Sequence, residues 1–474
     1  MCENLRNAYL QTEYREYFMK ANRIVSILLV FVFLFSPLAA YAEGAGYHPD
    51  AYAGDVALSD TLYAPDEIAG EARVTFEYLR AEQAVPDDVP EIGCRAAYLA
   101  DPVSGKVFFE KRAHEKMYPA STTKILTALL VLENCDPEET VTVSQRAIDL
   151  VPEAYTTADL KAGEELSVYV LLQALLIPSA NEAAYALAEH VGGSVSAFAA
   201  LCNNRAKALG CETLHFVNPN GVHDEDHYCS AYDLYLIARE CRKYDVFNEI
   251  VSMRQFTVPA TDVYPRSDRT FSNTNELLLP SSGNYYSDCT GIKTGHTTPA
   301  GECLVSSSSR AGLDLICVVL GGRILNDGNE RFTDTITLLD YVYDHYSYKL
   351  IADKSKPLAQ VDIDNAVKET PTLDILLQTD ILSVAPNGTN EENVITQVSL
   401  PEELKAPIQK NQVLGTVTYR VDGLIYETNL VAGNEIVKKP YWLYNLLVSL
   451  AAALTVVFMA SAVRRSRIRK RKRT

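Results

Sequence analysis

The sequence has no Cys-x-x-Cys pair and no grouping of histidines and cysteines at zinc-ligand spacing, so a metal site has no support at this level. An even cysteine set is also missing: of ten cysteines, Cys2 falls in a leader expected to be removed, and the other nine cannot all pair. A disulfide framework is therefore not implied, and Cys303 in GECLVSS and Cys317 in LICVVLGG sit in apolar runs where a buried free thiol is expected. Positive charge is scarce along most of the chain. The net charge is −18, residues 464–474 carry +8 and residues 1–42 carry +1, leaving −27 for residues 43–463. A body that acidic is not a nucleic-acid-binding surface. About a small substrate it says little.

At 474 residues, 47% hydrophobic and 22% charged, the composition is globular and long enough for two domains. Two apolar runs stand apart from that globular part. Ile24 to Pro37 follows Lys20 and Arg23 and precedes Ala40-Tyr41-Ala42, which predicts a signal peptide over residues 1–42, with an uncleaved anchor as the alternative. The region before the apolar run is long, and Met19-Lys20 is a more usual beginning than Met1. Leu443 to Val463 carries no charge over a length that covers a hydrocarbon core of about 30 Å. Tyr441, Trp442 and Tyr444 lie at its edge, and eight Lys and Arg follow within Arg464 to Arg473. The expected arrangement is a single C-terminal span at 443–463 in the cell membrane, a basic cytoplasmic tail at 464–474 and an extracytoplasmic body. The tail's rival reading, a nucleic-acid or nuclear-import segment, is weaker beside a spanning segment.

Residues 43–88 are acidic, with Pro, Gly and Ala interspersed, and read as a leader or spacer. Residues 89–346 predict an α+β domain. A hairpin over Ala96 to Glu110 turns at Asp101–Gly105. Helical patterns follow at Thr122–Glu133, Val168–Ile177, Glu182–Val191, Ser194–Leu209 and Ala231–Cys241, where Ser230 through Asp233 reads as a variant capping box. GECLVSSSSR and LDLICVVLGG then predict antiparallel strands with buried faces, closed by a helix over Arg331–Tyr346. Residues 347–438 break into short Val-, Ile- and Thr-rich runs and predict a small all-β domain.

Three short elements carry chemistry. Ser121-Thr122-Thr123-Lys124 opens a helical run, where residues three apart share a face, so a hydroxyl nucleophile and an amine base lie together. Ser179-Ala180-Asn181 sits in a break between helices; its hydroxyl suits a proton relay and its amide suits holding the lysine and substrate, while a plain N-cap serine is the structural alternative. Lys293-Thr294-Gly295 enters a strand, with a cation and hydroxyl for a carboxylate and a glycine for close approach. The backbone N–H of His296 with that of Ser121 would form an oxyanion hole. Each element is weak alone, but the three in this order and these settings form a strong signal. A rival Ser282-Gly283-Asn284 lies in a loop too close to Lys293 and is set aside. His223 and His227 in NGVHDEDH read as loop residues without an orienting partner.

With PASTTKILTALLVLE, LLIPSANEAAYALAEH, FVNPNGVHDEDHYCSAYDLYLIA, NTNELL and GIKTGHTTPAGECLVSS around these elements, residues 89–345 resemble the serine D-alanyl-D-alanine carboxypeptidases. These are penicillin-binding proteins of low molecular mass related to the β-lactamases. APIQKNQVLGTV resembles the C-terminal domain of the same family. The resemblance implies an antiparallel sheet with a helical subdomain, a following all-β domain and no cofactor. It implies catalytic roles for Ser121, Lys124 and Ser179, and substrate-binding roles for Asn181, Lys293, Thr294, Gly295 and His296. The implied partners are peptidoglycan stem peptides and β-lactams as covalent inhibitors. A β-lactamase, a cross-link endopeptidase and a non-enzymatic penicillin sensor are the other readings. The sequence departs from the family in its acidic spacer and in ending on a span rather than an amphipathic helix.

Overall fold

A computed structural model describes residues 73–74, 89–326, 328–389 and 394–471. The expected signal peptide, and the leader apart from Arg73 and Val74, lie outside the described residues.

Five antiparallel strands form the central sheet: β1 (Ala96–Ala100), β2 (Val107–Lys111), β3 (Cys289–Thr297), β4 (Gly301–Arg310) and β5 (Leu313–Gly322), in the order β2-β1-β5-β4-β3. Side chains alternate between the faces of a strand, and here both faces are apolar. Ala96, Tyr98, Ala100, Val305, Ile316, Val318 and Leu320 join the main core on one side. Ala97, Leu99, Leu304, Leu315, Cys317 and Val319 pack on the other with Phe332, Leu338 and Leu339 from the last helix of the domain. Strands so covered read as continuous hydrophobic runs, as β5 does.

The helices are α1 (Lys124–Asn134), α2 (Gln145–Asp149), α3 (Val168–Leu176), α4 (Asn181–Gly192), α5 (Val195–Ala208), α6 (Ala231–Cys241), α7 (Asp245–Ser252) and α8 (Glu330–His345). Most begin on a side chain that accepts from an otherwise unpaired first-turn N–H: Ser144, Ser167, Ser194 and Asn329 do so. Ser230 and Asp233 cap α6 reciprocally, as expected of a capping box. Helix α4 lacks such a cap. Ala180 stands at its N-cap, and the side chain of Asn181 is committed elsewhere.

Beyond α8, β6 (Tyr346–Ala352), β7 (Ala359–Asp362), β8 (Thr372–Leu377), β9 (Ile381–Pro386), β10 (Ile395–Pro401), β11 (Val413–Val421) and β12 (Leu424–Ala432) build an all-β unit. Strands β6 and β9 pair, and a six-stranded sheet runs from the two residues Arg73–Val74 through β10-β11-β12-β8 to β7. Leu373, Ile375, Val417, Val421 and Leu430 give this unit a separate core. Lys106, on the hairpin of the central sheet, reaches it through a 2.7 Å ion pair with Asp422.

Helix α9 (Trp442–Arg471) follows. Its stretch Tyr444–Arg465 is long and apolar enough to cross a membrane, and Leu454, Val457 and Phe458 stand exposed along it. A helix apolar all round and uncovered by protein fits a single membrane anchor. All nine described cysteines are free, and Cys303 and Cys317 are buried.

Candidate active site

The Ser121 turn is built by its threonines. Thr122 Oγ1 donates to Pro119 O and Thr123 Oγ1 to Ala120 O, both at 2.8 Å. Such short-range bonds compete with helical ones and tighten the chain. The sequence pattern began the helix at Thr122 with Ser121 at its opening; Ser121 stands instead in a 3₁₀ turn, Ala120–Thr123, with α1 starting at Lys124. Ala120 is held at φ +48°. Two glycines let other segments press on this turn. A side chain at Gly221 would run into Ala120 O, and one at Gly295 would lie 2.9 Å from Pro119 O and 3.0 Å from Ser121 N.

His227 supports the turn from below. It is buried, stacked on Phe216 at 4.4 Å, and burial pushes its imidazole down to about 3, so it is neutral. Its Nδ1 accepts from Val217 N at 3.1 Å, which leaves the proton on Nε2, 2.9 Å from Thr123 Oγ1. A chain of bonds thus runs from His227 through Thr123 to Ala120 O. His223 and His227 both lie in a loop as expected, but only His223 lacks an orienting hydrogen bond among the described residues; it is exposed, with its ring edge-to-face on Tyr118.

Lys124 is wholly buried. Its Nζ lies 3.0 Å from Ser121 Oγ, 2.9 Å from Asn181 Oδ1 and 2.8 Å from Asn220 O. Burial, with Lys293 adding repulsion, holds the amine well below the ordinary lysine range, opposed by the carboxylate of Glu182. Asn181 is fixed in orientation because its Nδ2 donates to Thr156 O at 2.8 Å. Glu182, also buried, accepts from the N–H groups of Ala158 and Leu160 through Oε1 and tethers that loop to α4.

Ser179 does not take the structural alternative of a helix cap, since the N-cap of α4 is Ala180. Nor does it bond to Lys124: it is buried at φ +70°, and its Oγ has no partner among the described residues. The left-handed backbone at 179 turns Asn181, rather than the serine, toward the lysine.

On β3, Lys293 is buried, its Nζ 3.1 Å from Thr294 O, and burial with the nearby Arg331 lowers its ammonium to about 7. Thr294 Oγ1 donates to Thr274 Oγ1 at 2.6 Å. The His296 side chain turns out to Glu302, Nδ1 to Oε1 2.8 Å. Sequence reasoning missed Asn220, Glu182 and Arg331, and set His227 aside as a loop residue without an orienting partner. Arg331, at the start of α8, lies 2.6 Å from Glu302 Oε2 and 3.4 Å from Gly295 O, with Nε unpartnered among the described residues. The rival Ser282-Gly283-Asn284 is a loop latch: Ser282 Oγ and Asn284 Nδ2 both donate to Glu276 Oε2.

The arrangement is a serine beside a buried amine, under a glycine-bearing strand with two cations. The chain also matches known proteins. Residues 82–323 match the family described as D-alanyl-D-alanine carboxypeptidase, Peptidase S11, and residues 346–438 match the penicillin-binding protein 5 C-terminal domain. The chain is 30% identical to the D-alanyl-D-alanine carboxypeptidase DacF of Bacillus subtilis over 353 residues, which cover 73% of this chain and 86% of that relative. Among solved structures, penicillin-binding protein 5 from Haemophilus influenzae superposes with a TM-score of 0.56 at 25% identity, covering 75% of this chain and 100% of that one. The Streptomyces K15 DD-transpeptidase matches at 30% identity and a TM-score of 0.50 over 54% of this chain and 98% of its own. On these residues, this fold and these matches, the chain belongs to the S11 family of serine D-alanyl-D-alanine carboxypeptidases.

Proposed function

We propose that Ser121 is the acylated nucleophile, Lys124 its base, and the substrate a peptidoglycan stem peptide ending in D-Ala-D-Ala. The observation that carries this reading is the triple contact of Lys124. A neutral amine has two N–H donors and one lone pair. Asn181 Oδ1 and Asn220 O are carbonyl oxygens that only accept, so they take both hydrogens, and the lone pair is left for the Ser121 hydroxyl. Burial keeps the amine neutral enough to take that proton.

As the proton passes to Lys124, Ser121 Oγ bonds to the carbonyl carbon of the penultimate D-Ala. The oxyanion falls to the N–H groups of Ser121 and His296. The C–N bond then breaks, its nitrogen taking a proton from the Lys124 ammonium through the unpartnered Ser179 hydroxyl, and the terminal D-Ala leaves. Water adds to the ester, Lys124 again taking a proton, and Ser121 regains its hydrogen. Lys293, Thr294 and Arg331 hold the free carboxylate, which makes the enzyme an exopeptidase. A β-lactam, presenting a carboxylate beside a strained amide, acylates the same oxygen. The apolar stretch of α9 and the basic residues that follow that stretch support a body outside the cell membrane, held by one C-terminal span with its tail in the cytoplasm.

The test is D-alanine release from a pentapeptide ending in D-Ala-D-Ala, using the detergent-solubilised full chain and its Ser121→Ala variant. Steady release by the wild type alone supports the reading. Penicillin acylation with no D-alanine release would replace it with an endopeptidase or a sensor, and stoichiometric labelling of Ser121→Ala would mean another nucleophile.

A further inference from the structure

Helices α1 and α4 meet at their first residues, where Lys124 donates to Asn181. They meet again at their far ends. Cys135 closes α1, and His190 lies in the last turn of α4. At about 1.5 Å per residue, both points are roughly 15 Å along the helices from the catalytic lysine. Between α1 and the next strand, Glu139 completes a group in which a thiol sulfur, a carboxylate oxygen and an imidazole nitrogen all lie within 4.8 Å of one another. His190 Nε2 is 3.0 Å from Glu139 Oε1.

We propose that Cys135, Glu139 and His190 form a binding site for a zinc-class divalent cation that clasps the far ends of the two helices carrying Lys124 and Asn181. The donor set is the argument for the metal class. Sulfur, nitrogen and oxygen together suit a borderline-soft ion such as Zn²⁺, whereas Mg²⁺ and Ca²⁺ take oxygen ligands. On binding, Cys135 loses its S–H proton to solvent and the thiolate sulfur bonds the cation, with one position left for water.

The surroundings favour a cation. Both α1 and α4 present their C-terminal ends here, and a helix C-terminus carries partial negative charge. The adjacent Glu189 is taken up by Ser144 and Arg146, so Arg146 is matched by its own carboxylate. The backbone is fixed before any ion arrives: Cys135 N donates to Val131 O, Glu139 N to Asp136 O and Val168 N to Glu139 O. No motif spacing announces the group, because His190 stands 51 positions from Glu139.

The test is titration of the metal-free full chain in detergent with Co²⁺ as a spectroscopic probe and Zn²⁺ as competitor. One equivalent of Co²⁺ should produce a thiolate-to-cobalt charge-transfer band that Zn²⁺ abolishes, and Zn²⁺ should raise the unfolding temperature. Cys135→Ser should remove the band, and His190→Ala and Glu139→Gln should each weaken Zn²⁺ binding at least tenfold. All three should keep penicillin labelling, since none touches the catalytic group. Cys289→Ser, at the other half-buried cysteine, should keep the band. Absence of a band in the wild type, or a band that survives Cys135→Ser, overturns the proposal without touching the serine mechanism.

Discussion

Lys124 Nζ and Asn181 Oδ1 face each other at 2.9 Å across the starts of two helices, and neither residue spends its side chain on a helix cap. Helix α4 forgoes a cap, ordinarily worth about 1 kcal/mol, and its first side chain orients the base instead. Asn181→Ala should therefore leave a folded protein whose lysine has lost one acceptor. The lone pair is then no longer aimed at Ser121, and acylation by a fluorescent penicillin should slow by about 10²- to 10³-fold, within the range for a misplaced general base. Stopped-time labelling measures it; a change under threefold would remove Asn181 from the machinery.

Glu182 sets the lysine's proton affinity from behind. Its carboxylate raises the affinity that burial and Lys293 depress, although burial also pushes the Glu182 carboxyl itself up. Glu182→Gln removes the negative charge while leaving an amide oxygen for the N–H groups of Ala158 and Leu160. Lys124 should then lose its proton at lower pH, and the acid limb of the acylation profile should move toward lower pH. An unmoved limb would mean that Glu182 is already protonated and only positions its loop.

Much of this site was legible because its key residues lie in short runs. Ser121 and Lys124 share one turn, and Lys293 through His296 share one strand. The capping box at Ser230 and Asp233 was legible for the same reason. What escaped were contacts made by folding alone. Asn220 meets Lys124 from 96 positions away and His227 meets Thr123 from 104, and no period or spacing encodes such pairs. Helices α2 and α7 escaped because five and eight residues are too short to show a 3.6-residue pattern. Ser179 was identified while its contacts were not, since its left-handed backbone depends on the packing on either side.

The pocket proposed for the substrate carboxylate holds two cations of unequal permanence. Lys293 is lowered to about 7, so its charge fades as pH rises through neutrality. Arg331 is lowered too, by burial, but a guanidinium starts far higher and stays charged. Arg331→Ala should cut kcat/KM for a D-Ala-D-Ala substrate about 10- to 150-fold, the worth of a charged hydrogen bond of about 1.5–3 kcal/mol. Thioester substrates lacking the carboxylate should be affected far less. In that variant Lys293, relieved of the repulsion from Arg331, should keep its charge to higher pH, so the fall in turnover of carboxylate substrates with rising pH should begin at higher pH than in the wild type. Equal losses on both substrate classes would assign Arg331 to structure alone.

His227 links the nucleophile turn to acid stability. Its folded value, about 3, lies below the ordinary value of 6.5 because burial disfavours the charged ring, with Asp224 pulling weakly the other way. Between those values the unfolded chain binds a proton that the folded chain does not, so stability is complete above about 6.5 and is lost as pH falls toward 3. One such group contributes a slope of up to about 1.4 kcal/mol per pH unit. His227→Gln should be less stable than wild type at pH 7.5, having lost the stack on Phe216 and the bond to Thr123. It should also lose less stability on acidification, and the gap between the two proteins should narrow from pH 6.5 downward. Denaturant midpoints of the two full chains across that range measure the gap. Parallel curves would mean that the folded ring takes up a proton as readily as the unfolded one, and would overturn the acceptor role of its Nδ1 toward Val217.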